Sequence, residues 1–458
     1  MTDGDTRADA PTSGDGVAGA PRSDGGAASG RSWREAGVTP GWVLAGAVLL
    51  AALVPLTLMG PGTDLDVGAV LRSGMSIVDG AYVASRVPGA PVHEAGVGLL
   101  EWIGGTVGPN LGSLAAGIAV TVLLALLLRG EGVGRVGLSV AVVVANPWFL
   151  IAATSTVDFL WALALWLGAA VGLRRHPTLA GAASAGVLAG LSVGARASTA
   201  FLVAGLALAE VLERSPSAGQ VHGSALSEVQ DGSAPAPSVG STTRALVLAG
   251  VAAVVGLIVF LPPFLAAESS LAFAQNDVLT SSVFVQVGRF LAKDLYSVGP
   301  FAAVVLVLAL PALVRSLARF RADWLVRLGL LTLVISQLLF LRFPWKMGHL
   351  LPTLVGLALL LARALGDRPR LLVALVATQL LYGLVSIQLL APDNPNAATG
   401  GELTFEPRWG TVVVDTQCRL DDPDAWQAPL AMADDPATPE PERSRLDAVW
   451  DCAKPWAD

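Results

Sequence analysis

Long stretches of this chain carry no charged side chain, and they follow one another from about Trp42 to residue 391. Crossing the hydrocarbon of a bilayer as a helix takes about 20 residues. The apolar runs at 42–60, 110–128, 136–153, 157–173, 179–194, 198–212, 245–263, 298–314, 325–341, 349–364 and 371–391 approach that length. None alternates with the period of two that a membrane β-strand requires. The sequence therefore predicts an all-α polytopic membrane protein with about 11 transmembrane helices. The stretch 179–212, interrupted near Arg196, fits either two short spans or one long helix with a break. Charged residues make up 14% of the chain, against about 25% in soluble domains, too few to cover a water-soluble body of 458 residues.

Residues 1–40, rich in Gly, Ala, Asp, Ser and Thr, read as a disordered segment. The first apolar run begins too deep for a cleavable signal. A transmembrane domain spans 41–391, with a Ser/Ala/Gly/Pro-rich linker at 213–243 that contains His222. An acidic tail occupies 392–458, with a short strand predicted at Gly410–Val414. If the N-terminus is cytoplasmic, thirteen Arg and Lys fall in the inner loops (Arg129, Arg135, Arg174 and Arg175 among them) against seven in the outer ones. That asymmetry favours an inside N-terminus and, with an odd number of spans, an extracytoplasmic tail. A Cys418–Cys452 disulfide is permitted there, and two free thiols fit as well. The net charge of −7 and the lack of a basic block argue against nucleic-acid binding.

Chemistry concentrates between the first two spans. Residues 61–109 form a large first extracytoplasmic loop that holds Asp64, Asp66, Asp79, Glu94, Glu101, two arginines and His93 beside stretches able to lie as surface helices, for example Val67–Val78 and Glu94–Ile103. A mere connector needs neither this length nor this mixture. Asp64 and Asp66 follow directly on a membrane exit, where burial can raise a carboxyl pKa enough for base work. Either could instead cap the helix that follows.

Three further elements carry candidate groups. In Tyr82-Val83-Ala84-Ser85-Arg86-Val87-Pro88-Gly89-Ala90-Pro91, the prolines and glycine impose a rigid turn. Arg86 before them can grip a phosphate through its planar fork or reach toward a lipid headgroup. Glu94 can position a sugar hydroxyl or start a surface helix. The run Arg342-Phe343-Pro344-Trp345-Lys346-Met347-Gly348-His349 gathers cations and a Trp into an anion site near the interface, where Trp and Lys also serve as anchors. Lesser candidates are Arg196 in Gly-Ala-Arg, Asp158, and Asn146-Pro147 within the third span. A loop at 264–297 with Gln275, Asn276, Arg289, Lys293 and Asp294 could close over a substrate.

Taken together, these residues resemble the GT-C superfamily of polytopic glycosyltransferases, in the branch of protein O-mannosyltransferases, lipid A aminoarabinose transferases and the RgtA/B/C/D-like domain. The resemblance covers roughly 42–391 and rests on four features. These are the acidic pair Asp64 and Asp66, the turn Gly80, Tyr82, Arg86, Pro88, Gly89 and Pro91, the segment Gly190, Gly194 and Arg196, and the element Lys346, His349 and Pro352. The commonest pattern has adjacent Asp-Glu followed by Tyr, whereas here Leu65 separates the carboxylates. The resemblance implies transfer of a sugar from a polyprenyl-phosphate-linked donor to an acceptor on the extracytoplasmic face of the plasma membrane, a hexosyltransferase of mannosyltransferase-like type. Asp64 or Asp66 would be the general base, and Tyr82, Arg86, Glu94, Arg196, Lys346 and His349 would bind substrate.

No cofactor is expected, no metal ligands are assigned, and a role for a divalent ion stays open. Expected partners are the polyprenyl-phosphate sugar donor, membrane lipid, and an acceptor that could be protein, lipid or polysaccharide. The rival expectation is a transporter or lipid-linked sugar flippase. It calls for ionisable groups near the bilayer midplane and repeated spans, whereas here the charges gather in the outer loops. A non-catalytic scaffold would leave the first-loop carboxylates dispensable.

Overall fold

In hydrocarbon no water is present to bond the backbone, so an apolar run satisfies its N–H and C=O groups by closing into a helix. The computed structural model describes residues 51–64, 66–213, 240–266, 283–342, 346–388 and 406–421. Residues 51–57 are helical and lead into α1 (Val67–Val78), α2 (Pro91–Gly104) and α3 (Val107–Gly130). Next come α4 (Val136–Val144), α5 (Pro147–Ala153), α6 (Phe159–Arg175), α7 (Leu179–Ala195) and α8 (Thr199–Val211). The second half holds α9 (Ser241–Ala266), α10 (Val283–Val298), α11 (Pro300–Leu317), α12 (Trp324–Arg342), α13 (Leu351–Ala364) and α14 (Pro369–Leu384). A 3-10 turn, Met347–Leu350, opens α13. The chain closes with β1 (Val385–Gln388), β2 (Glu406–Trp409) and α15 (Thr411–Asp421).

Among the described residues, five helices are long and apolar enough to cross a membrane: α3, α9, α11, α12 and α13 with its opening turn. The pair α4 and α5 makes a sixth if counted as one span, and α7, α8 and α14 are shorter apolar helices. The chain is thus a polytopic helical membrane protein. Three expectations are corrected. The run 136–153 is not one helix, because α4 and α5 meet at 74°. Pro147 has no N–H to continue a helix, and the Asn146 side chain caps the new one by accepting from Trp148 N at 3.0 Å. The last apolar run leaves the helix at Leu384 and enters β1, which pairs antiparallel with β2 from Val385↔Trp409 to Gln388↔Glu406. Gly410–Val414 is not a strand, since Thr411–Asp421 is a helix despite its β-branched start.

The stretch 179–212 divides into two helices, α7 and α8, at Arg196–Ser198. Glycine sets the spacing of α7 against α9. A Cβ at Gly186, Gly190 or Gly194 would come within 2.7 Å of Val251, Val255 or Val259 respectively, so small residues at every fourth position let the two helices nest. Helix α6 runs through the core, with Leu160, Leu163, Trp166 and Leu167 fully buried. Its 17 residues span about 25 Å. In its last turn Arg174 binds Glu131 at 2.8 Å and Glu213 at 2.9 Å, and nearby Arg244 pairs with Glu210 and Arg363 with Asp323 at 2.9 Å. These pairs tie the helix ends together on that side. The N-terminal end of α6 carries the candidate site.

Candidate active site

The site is built on the segment that leaves the first helix. Asn110 of α3 donates to Gly60 O at 2.5 Å and Thr57 O at 3.1 Å, and accepts from Thr156 Oγ1 at 2.9 Å. Thr156 N in turn donates to Pro61 O at 2.8 Å. Residues 57–61 therefore lie against 154–156, and the next acidic residues of each segment, Asp64 and Asp158, are carried to one place.

Asp64 Oδ1 accepts from Asp66 N at 2.8 Å, a local turn that starts α1. Asp66 stands at the N-cap position of α1, but its carboxylate makes no capping bond. That carboxylate turns to cations instead. Lys346 Nζ lies 2.7 Å from both Asp64 Oδ1 and Asp66 Oδ2, and Arg86 Nη1 lies 2.6 Å from Asp66 Oδ2. Arg86 Nη2 continues to Asp158 Oδ2, and Arg196 Nη1 reaches Asp158 Oδ1 at 2.7 Å. Asp158 likewise occupies an N-cap position, on α6, without capping it. The Arg196 guanidinium lies over the Phe159 ring, 4.2 Å from its centroid, and the His349 ring is 5.8 Å from the same ring. Three carboxylates and three cations thus alternate in one contiguous chain.

Exposure separates the acids. The Asp64 and Asp158 side chains are 1% exposed, and Asp66 is 32% exposed beside an Arg86 at 31%. Burial alone would raise the Asp66 carboxyl, but Lys346 and Arg86 hold it well below the usual range. Asp158 is also penalised by burial, yet Arg196 and Arg86 pull it down to about 2. Burial opposes the charge on Lys346, and Asp64 and Asp66 outweigh it, so the ammonium is firmer than usual.

Tyr82 and Glu94 stand behind this chain and bind each other. Glu94, fully buried in the first turn of α2, accepts from Tyr82 Oη at 2.6 Å, from Ser85 N at 2.9 Å and from Ser85 Oγ at 2.5 Å. These bonds fix the turn that presents Arg86. Gly89 has φ +94°, and a Cβ there would collide with Tyr82 Oη, so the turn needs glycine.

The structure brings Asp64, Asp66, Arg86 and Lys346 into direct contact, joins Arg196 to them through Asp158 and His349 through Phe159, and keeps Tyr82 and Glu94 as the support of Arg86. Asp158, which the sequence offers only as a minor candidate, is the hinge between the two arginines. His93 gave no functional signal beyond its presence in the loop. It is fully buried, its ring nitrogens have no hydrogen-bond partner among the described residues, it packs edge-on to Trp161 at 5.4 Å, and it is pushed down to about 4 by burial. In α10, Asp294 accepts from Gln337 Nε2 at 2.8 Å, Gln286 donates to Leu341 O at 2.7 Å, and Lys293 is buried. Trp345, Gln275, Asn276, His222 and Cys452 lie outside the described residues, whereas Cys418 of α15 is disulfide-bonded. Among the described residues no group of three or more His, Cys, Asp or Glu side chains is arranged to hold a metal ion.

No family model and no curated protein matches this sequence. Among solved structures, ArnT from Cupriavidus metallidurans bound to undecaprenyl phosphate is similar, with a TM-score of 0.50 at 16% identity over 91% of this chain and 75% of that one. The same protein in its apo state gives a TM-score of 0.47 at 16% identity, over 91% and 74%. At such identity the likeness to the first establishes the fold. The fold is that of a polytopic helical membrane protein, and the particular fold the chain shares is that of ArnT.

Proposed function

We propose that the protein is a glycosyltransferase that moves a sugar from a polyprenyl-phosphate-linked donor to an acceptor hydroxyl, with Asp66 as general base. One observation carries this: the partly open Asp66 carboxylate shares its cations, Lys346 and Arg86, with the buried carboxylates Asp64 and Asp158. The neighbour with this fold was crystallised with undecaprenyl phosphate, an anion those cations suit.

The chemistry follows from competition. An ion-paired carboxylate is a weak base. A donor phosphate drawn to Lys346 and Arg86 loosens their hold on Asp66, whose proton affinity then rises. The acceptor hydroxyl gives its proton to Asp66 as its oxygen forms a bond to sugar C1. The bond from C1 to the phosphate oxygen breaks, its electron pair leaves with the phosphate, and Lys346, Arg86 and Arg196 neutralise the growing charge. Asp64, almost closed to solvent, anchors Lys346. His349 borders the phosphate site. No cofactor is needed in this scheme.

The donor's polyprenyl chain stays in lipid, so the site belongs at the membrane interface. The excess of inner-loop cations supports a cytoplasmic N-terminus, an extracytoplasmic site and tail, and residence in the plasma membrane. Membranes containing the full chain, incubated with a panel of undecaprenyl-phosphate-linked pentoses and hexoses with and without EDTA, test the proposal. Transfer that falls by roughly 10²- to 10⁴-fold in Asp66→Asn is expected. Transfer by wild type that survives both Asp64→Asn and Asp66→Asn overturns the base, and absence of any transfer overturns the activity.

A further inference from the structure

The sequence after β2 belongs to no motif of the site, yet it holds two charges in an unusual setting. Asp415 and Arg419 lie four residues apart, on one face of α15, and are 4% and 3% exposed. Charged side chains are almost never so buried unless paired, and these pair at 2.9 Å.

Among the described residues, their remaining side-chain bonds go to the two segments that carry the site's carboxylates. Asp415 Oδ1 accepts from Thr63 Oγ1 at 2.7 Å, and Thr63 precedes Asp64. Arg419 Nη1 donates to Thr154 O at 2.7 Å and to Leu56 O at 3.2 Å, while Nη2 donates to Ser155 Oγ at 2.5 Å. Thr154 and Ser155 lead to Asp158. Where the two segments touch, space is minimal, because a Cβ at Gly62 would stand 2.7 Å from Ser155 Cβ. An apolar pair of similar volume could fill the space of Asp415 and Arg419 without loss of stability. It could not bond to both segments at once. What the ion pair adds is fixed geometry, and reacting groups need to be held within about 0.5 Å of their working positions.

We infer, on the glycosyl-transfer reading above, that Arg419 and Asp415 are positioning residues for that reaction and that α15 braces the backbones bearing Asp64, Asp66 and Asp158. The pair touches no substrate and acts through Thr63, Thr154 and Ser155.

The test uses the full chain in detergent, with Arg419→Lys, which keeps the charge and loses the fork, and Thr63→Val, which removes one hydroxyl. Amide hydrogen exchange read by mass spectrometry is expected to rise in the peptides bearing Asp64 and Asp158 and to stay unchanged in α9 and α11. With undecaprenyl-phosphate-linked sugar, kcat is expected to fall roughly 10- to 100-fold while donor KM stays within about twofold. Unchanged exchange in those two peptides overturns the brace, whatever the activity. Faster exchange with kcat as in wild type overturns the positioning role. A loss of kcat that only follows the folded fraction does the same. If Arg419→Lys does not fold, Thr63→Val alone decides. Faster exchange in a chain whose wild type transfers no sugar leaves the brace in place and removes the glycosyl-transfer reading.

Discussion

Lys346 Nζ stands 2.7 Å from Asp64 Oδ1 and 2.7 Å from Asp66 Oδ2, across 282 positions of sequence from the first. One ammonium with three donors thus pairs with both carboxylates at once. Two of those donors are occupied by the acids. On the proposed function the third would meet a phosphate oxygen of the donor, so a single side chain would both stabilise the resting site and bind that donor.

Removing that ammonium leaves Asp64, 1% exposed, as an uncompensated buried charge. Lys346→Met is expected to lower stability by about 3–5 kcal/mol and to abolish transfer. Thermal unfolding of the purified chain in detergent measures the first effect. Lys346→Met combined with Asp64→Asn should recover part of the loss, because the two sites share one interaction. Equal instability of the single and double variants would show that the pair is not coupled.

Arg86 bridges Asp66 and Asp158 through its two terminal nitrogens, a task that lysine's point charge cannot duplicate. Arg86→Lys is therefore expected to reduce kcat/KM by roughly 10²- to 10³-fold, although the charge is retained. Steady-state transfer from an undecaprenyl-phosphate-linked sugar gives the answer. Activity within a few-fold of wild type would make Arg86 a simple counter-charge.

Much of this was legible before the fold was known. Apolar runs mark helices because lipid offers no alternative, and α1 matches the predicted Val67–Val78 residue for residue. The carboxylates and cations stood out because charge is costly beside a membrane. What stayed hidden depends on distant partners. Hydropathy cannot see the 74° bend between α4 and α5, although Asn146-Pro147 is a legible cap followed by a breaker. Asp158 reads as a helix cap until Arg86 and Arg196 are seen facing it. The Thr-Val-Val-Val start of α15 suggests a strand by propensity, and tertiary contacts of Asp415 and Arg419 prevail over it. Arg419 is 265 residues from Thr154, a separation that no local pattern encodes.

Gly89 supplies a sharper test of the turn behind Arg86. Its φ of +94° is unfavourable for any L side chain, and a methyl group there would strike Tyr82 Oη. Gly89→Ala is expected to cost more than about 1 kcal/mol and to raise the donor KM by displacing Arg86. Tyr82→Phe, which keeps the ring and deletes the bond to Glu94, should shift KM in the same direction by less. A donor KM unchanged in both would detach the turn from binding.

Stability should respond to acid in two windows. His93 is held down to about 4, chiefly by burial, from an ordinary 6.5. The folded form keeps it neutral where the unfolded chain takes up a proton, so stability falls as pH drops from about 6.5 to about 4. Asp158 is penalised by burial but held at about 2, against an ordinary 3.8, by Arg196 and Arg86. Its contribution is complete above 3.8 and is lost as pH falls toward 2. Asp66 is depressed in the same direction and adds to that second loss. His93→Leu should flatten the upper window, by up to a few kcal/mol at its lower edge, and leave the lower one intact. Asp158→Asn should shrink the lower window to the part that Asp66 supplies and deepen the upper one, because Asp158 is a counter-charge to protonated His93. Unfolding midpoints taken from pH 7 to pH 2 separate the two, and an upper window of equal depth in wild type and His93→Leu would assign it to another group.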